Sequence, residues 1–119
     1  MVGGGSRRRL IKDSPLDEDF VAVAKVADVP PGTMTFVAVE RERIVLAHVD
    51  GDGFYALRDV CGHRNAPLSR GKLEGCIVEC PLHFAQFDMR TGKYVDGPYS
   101  ADVPAYAVKV EGDTVYLRR

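Results

Sequence analysis

Two short stretches carry residue types that can do chemistry together: Cys61-Gly62-His63 and Cys80-Pro81-Leu82-His83, with sixteen residues between His63 and Cys80. Each supplies one thiolate and one imidazole, so two such loops meeting at their tips would assemble a four-ligand site. Sulfur with nitrogen suits zinc, copper or iron–sulfur, whereas magnesium and calcium prefer oxygen. Cysteine is often buried for packing alone, but two Cys–His pairs, each followed by a turn-rich stretch, are poorly explained that way. A structural zinc site commonly combines a Cys pair with a separate His pair, and here each loop mixes the two types. Mixed loops suit a diiron site that each loop spans, one iron taking both thiolates and the other both imidazoles.

The elements that must hold these loops are β-strands. Phe20–Val26 is rich in valine, and Pro30-Pro31-Gly32 after it is a turn that no helix would survive. Met34–Val39 and Ile44–Val49 flank Glu40–Arg43 as a hairpin, and Asp50-Gly51-Asp52-Gly53 turns the chain into Phe54–Leu57. Ala105–Val110 and Thr114–Leu117 flank Glu111-Gly112-Asp113 as a last hairpin. No helical period of useful length appears outside the start of the chain. The expectation is an all-β sandwich or small barrel. Residues 1–19 (Gly3-Gly4-Gly5-Ser6, Arg7-Arg8-Arg9, Asp17-Glu18-Asp19) read as a flexible tail, and residues 20–119 as one domain. The stretch from about 58 to 98 holds all three cysteines, two of the three histidines and three prolines, and reads as loops rather than long strands.

Composition bounds the function. In 119 residues, 16 Lys+Arg stand against 17 Asp+Glu, a net charge of −1 that argues against nucleic acid as a partner. No stretch approaches the roughly 20 apolar residues of a membrane span. The three cysteines are an odd number, which disfavours a disulfide-stapled secreted fold. The arginines of 7–9 are followed at once by Leu10-Ile11-Lys12-Asp13, without the apolar run of an export signal, so a cytoplasmic location is expected.

The two ligand stretches, their spacing, Phe84-Ala85-Gln86-Phe87-Asp88 and Arg90-Thr91-Gly92-Lys93 resemble the Rieske-type [2Fe–2S] ferredoxins of bacterial ring-hydroxylating dioxygenase systems. Gly97-Pro98 looks like the proline-containing third loop that covers the cluster in that family. The resemblance runs from about Phe20 to the C-terminus. It implies one [2Fe–2S] cluster per chain, with Cys61 and Cys80 on the inner iron and His63 and His83 on the outer, near-surface iron. It also implies a one-electron carrier that accepts electrons from a flavin-containing NAD(P)H reductase and delivers them to a terminal oxygenase. The alternative is a Rieske-like small subunit or redox-sensing module of a larger reductase.

Counting supports the carrier over an enzyme. A terminal oxygenase adds a mononuclear iron held by two histidines and a carboxylate. The chain has three histidines, the cluster takes two, and His48 alone cannot complete the triad. Two ferric ions and two sulfides leave a formal charge of plus two, which two thiolates cancel, so reduction is easier than for a four-cysteine cluster. High-potential relatives carry a disulfide at positions matching Ala66 and Leu82, and hydroxyl donors at positions matching Ala85 and Phe87. Both are missing, so the midpoint is expected near the lower end of the class, about −150 mV. Cys76 and His48 read as scaffold, and Tyr55, Tyr94, Tyr99, Tyr106 and Tyr116 as packing residues. Six positive and five negative residues lie between Arg58 and Gly97. That balance points to docking through a small apolar patch of Pro67, Leu68, Leu82 and Pro98, by a carrier that is most simply a monomer.

Overall fold

A computed structural model describes residues 20–61, 66–82, 84–98 and 100–118. The tail expected over 1–19, the candidate ligands His63 and His83, and Tyr99 lie outside the described residues.

The β-branched runs form strands where their pattern places them. We number these β1 (Val21–Lys25), β2 (Thr33–Val39), β3 (Glu42–Val49) and β4 (Gly53–Arg58), with β9 (Ala105–Glu111) and β10 (Thr114–Arg118) closing the chain. All pair antiparallel into one six-stranded sheet of order β1-β10-β9-β4-β3-β2. The β2–β3 hairpin runs from Thr33 opposite His48 to Val39 opposite Glu42, and its tight turn puts Glu40 at φ 58°. Residues of the two edge strands, among them Val21, Val23, Val37 and Val39, line one groove. The sheet therefore curls into a nearly closed barrel with β1 and β2 facing each other across the seam.

Strand β3 explains why its sequence shows no alternation. Ile44, Val45, Leu46 and Ala47 are all fully buried. Ile44 and Leu46 join Val29, Ala56, Val115 and Leu117 inside the barrel. Val45 and Ala47 face the other way, into a second core with Leu57, Leu68, Val78, Phe87 and Met89. A strand covered on both faces has no polar face to alternate.

The middle of the chain is more ordered than its turn formers predict. It folds into a second antiparallel sheet of β5 (Lys72–Glu74), β6 (Ile77–Glu79), β7 (Gln86–Asp88) and β8 (Tyr94–Asp96), in that order. Each strand has only three residues, too short for a period of two to show in sequence. This sheet and the ligand loops cap the second core, which contains Cys61 and Cys80.

Candidate metal centre

Both cysteine loops leave the scaffold in the same way. The first follows β4, and its Cys61 N–H donates to Ala66 O at 2.7 Å. The second is the turn of the β6–β7 hairpin, whose last ladder pair is Glu79 opposite Gln86, and its Cys80 N–H donates to Ala85 O at 2.7 Å. In each case the cysteine bonds to the residue five positions on, so each loop is pinched shut at its base.

The two sulfurs meet. Cys61 and Cys80 are both wholly buried, and their side chains hydrogen-bond to one another. Burial pushes the Cys80 thiol up to about 11, reinforced by the hydrogen bond with Cys61. Desolvation disfavours a lone thiolate there, whereas a cation would hold both sulfurs ionised. The Leu82 N–H points at Cys80 Sγ from 3.4 Å, a weak donor for a charged sulfur. Among the described residues no group of three or more His, Cys, Asp or Glu side chains converges. The described part of the site is thus a dry sulfur pair, which fits the thiolate half of a Rieske cluster.

The first loop is anchored by a buried carboxylate. Asp59, 5% exposed, accepts hydrogen bonds from Arg43 Nε at 2.8 Å, Ser69 N at 2.7 Å and Ser69 Oγ at 2.7 Å. Its own N–H donates to Arg43 O at 2.8 Å. Asp59 therefore ties both ends of the first loop to β3. Nothing local marks this role, since a lone aspartate after a strand reads as a turn residue.

The second loop is held by the Gly97-Pro98 segment. Gly97 has φ 96° and packs so tightly that an added Cβ would fall 2.9 Å from Phe84 O and 3.0 Å from Ala85 Cα. The Tyr94 hydroxyl donates to Gly97 O, and the Tyr94 ring meets the edge of buried Phe87 at 6.3 Å. Gly97→Ala combines a disfavoured φ with these close contacts, so we expect a loss of about 1–3 kcal/mol. The check is the rate of iron release to a chelator, which should rise several-fold over wild type.

Elsewhere the chemistry-bearing residues are structural. Cys76 is half-buried and lends its carbonyl to Met89 N at 2.7 Å; none of the three cysteines is in a disulfide. His48 contacts Val29 O through Nδ1 at 2.7 Å and stacks on Phe54 at 4.0 Å. Tyr55 and Tyr94 pack against the second core; Tyr106 packs against the barrel core and donates to Glu42 Oε1 at 2.8 Å. The expected apolar patch needs one correction. Leu68 is fully buried, because its short 3-10 turn (Leu68–Arg70) folds it under the first loop. Its place is taken by Phe84, 63% exposed beside Leu82 at 49%. Sequence reading passed over Phe84 because an aromatic before a strand is ordinarily a core residue.

The family model for the Rieske [2Fe–2S] domain matches residues 19–107. A ferredoxin component of naphthalene 1,2-dioxygenase/salicylate 5-hydroxylase systems from Ralstonia sp. is 37% identical over 103 residues, covering 87% of this chain and 98% of that protein. The ferredoxin of carbazole 1,9a-dioxygenase from Nocardioides aromaticivorans superposes with a TM-score of 0.79 at 34% identity, over 83% of this chain and 96% of that one. A complex of reduced oxygenase and oxidized ferredoxin in carbazole 1,9a-dioxygenase contains a similar chain (TM-score 0.76, 34% identity, 82% and 99% covered). The chain belongs to the Rieske [2Fe–2S] family. Within it, the chain is a ferredoxin: an electron carrier rather than a catalyst, holding one Rieske cluster.

Proposed function

We propose that the chain passes single electrons from a flavin-containing NAD(P)H reductase to the terminal oxygenase of an aromatic-ring-hydroxylating system. The observation that supports this best is the buried Cys61–Cys80 pair, set in two loops closed by equivalent hydrogen bonds. Cys61 and Cys80 would hold one iron, and His63 and His83 the other. When bound, the cluster supplies a one-electron redox couple that needs no bond to be made or broken.

The chain's own residues bury the two sulfurs and close each loop at its base. Residues 20–119 then act as one Rieske domain, with about 58–98 as its cluster-binding part. The chain works as a monomer in the cytoplasm. The test has two halves: without O2, catalytic reductase and NADH should reduce the protein, and on adding O2, purified oxygenase with its substrate should reoxidise it faster than O2 alone, over repeated cycles. Failure of either half-reaction with every such component overturns the shuttle.

The cluster surroundings also carry a prediction. Ala85 and Phe87 are fully buried, and neither side chain can donate a hydrogen bond. A redox titration should therefore give a midpoint near −150 mV. Ala85→Ser, which adds a hydroxyl at the base of the second loop, should move the midpoint upward. A wild-type value well above zero would refute the account.

A further inference from the structure

A small groove lies beside the Cys80 loop, with Arg70, Lys72, Glu79, Cys80 and Phe84 on its walls. Gly71 brings its cations there: the chain crosses Glu79 so closely that a Cβ on Gly71 would fall 1.8 Å from Glu79 O. Arg70 and Lys72 flank that crossing, both exposed, and among the described residues neither forms an ion pair. The one carboxylate on the groove, Glu79, accepts a hydrogen bond from Gln86 Nε2 at 3.2 Å. Two cations against one carboxylate leave the groove with a positive surplus, although the region around it is nearly neutral.

The opposite wall is an aromatic held outward. Phe84 has φ 64°, a left-handed conformation that is costly for a bulky side chain. Gly97 packed on its carbonyl keeps it there, and the ring stays 63% exposed. Strain maintained so that an apolar ring faces solvent is more readily explained by contact with a partner than by stability.

We propose that this groove receives a carboxylate side chain from the docking face of a redox-partner protein. The acid sits between Arg70 and Lys72, and apolar surface next to it covers Phe84 and Leu82. The inference rests on the electron-carrier reading above. A protein edge fits better than a polyanion: the chain carries a net charge of −1, and the groove's local surplus is too small to hold a phosphate backbone. The expected apolar patch thus gains a charged flank, and docking should depend on both.

Charged redox reagents test the groove directly. Ferricyanide takes one electron from the reduced protein and becomes ferrocyanide, with no proton moved; tris(phenanthroline)cobalt(III) accepts one electron as a cation. At low ionic strength, Arg70→Glu with Lys72→Glu should slow ferricyanide about ten-fold and speed the cobalt reagent, with an unchanged visible spectrum and only a small downward shift in midpoint. Lys72→Glu alone should give part of that loss. Lys25→Glu, an equal charge change on β1 of the other sheet, should alter either rate less than about two-fold. Equal effects of Lys25→Glu and Lys72→Glu, or no effect of the double variant, would overturn the groove.

A second arm uses the purified flavoprotein reductase that reduces this protein. A water-soluble carbodiimide activates a partner carboxylate, and the Lys72 amine displaces the urea to leave an amide. Coupling that survives Lys72→Gln undiminished overturns the proposal. A protein that shows the reagent pattern yet is never turned over by reductase and oxygenase keeps its anion-accepting groove and loses the shuttle reading instead.

Discussion

Asp59→Ala is expected to lower stability by about 3 kcal/mol and to yield protein largely without iron. The carboxylate is buried and accepts from three donors, Arg43 Nε, Ser69 N and Ser69 Oγ. Alanine leaves the Ser69 N–H and hydroxyl without their acceptor in a part-buried site, where an unmet group costs up to roughly 1–3 kcal/mol. The ion pair itself contributes less, because the Arg43 side chain is 43% exposed and its charge is screened. The larger consequence is geometric: Asp59 joins the start of the first loop to Ser69 just beyond its end. Asp59→Asn keeps the shape and one acceptor oxygen, so its loss should be intermediate. Thermal unfolding and iron content of the purified variants give the result. Full iron occupancy in Asp59→Ala, with a melting point within a few degrees of wild type, would show that the loop does not depend on this anchor.

Cys61→Ser and Cys80→Ser are each expected to bring iron and acid-labile sulfide from two per chain to near zero, taking the visible colour and the reduced-state spin signal with them. The loss should be total in each single variant, because both sulfurs are buried together and would serve one iron. A lone thiolate there would lack its counter-charge, and burial, reinforced by the hydrogen bond with Cys61, already pushes the Cys80 thiol up to about 11. Serine at either position offers a much weaker ligand for iron. Cys76→Ser is the matching control: Cys76 is half-buried in a turn, and its structural contact runs through the backbone carbonyl. It should retain a full cluster. Retention of substantial iron in Cys80→Ser would remove Cys80 from the ligand set.

The two Cys–His stretches stand out in sequence because coordination would demand particular residue types at fixed separations, and such residues are scarce here. The long strands were legible for a related reason, since runs such as Met34–Val39 and Thr114–Leu117 carry β-branched residues between unmistakable turns. The second sheet was not. Three-residue strands such as Ile77–Glu79 are held by their neighbours across the ladder, and nothing local marks them. Leu68, expected in the apolar patch, is buried, and Phe84, which that patch did not include, is exposed. Hydrophobicity is a property of a residue, whereas exposure is decided by what the chain packs around it. Leu68 is folded under the first loop, while Phe84 is turned outward by a left-handed backbone.

By itself, the sequence named the candidate chemistry: two thiolates and two imidazoles in mixed loops, too few histidines for a mononuclear iron beside the cluster, and no cysteines for a loop disulfide. Only the tertiary structure decided how the loops are held and what surrounds them. It placed Asp59 beneath the first loop and Gly97 against the second, and set Arg70 and Lys72 beside Phe84. The physical reason is distance along the chain. Ligand type and spacing are local, whereas the Asp59–Arg43 and Gly97–Phe84 contacts join residues brought together only by strand pairing, β3 with β4 and β7 with β8.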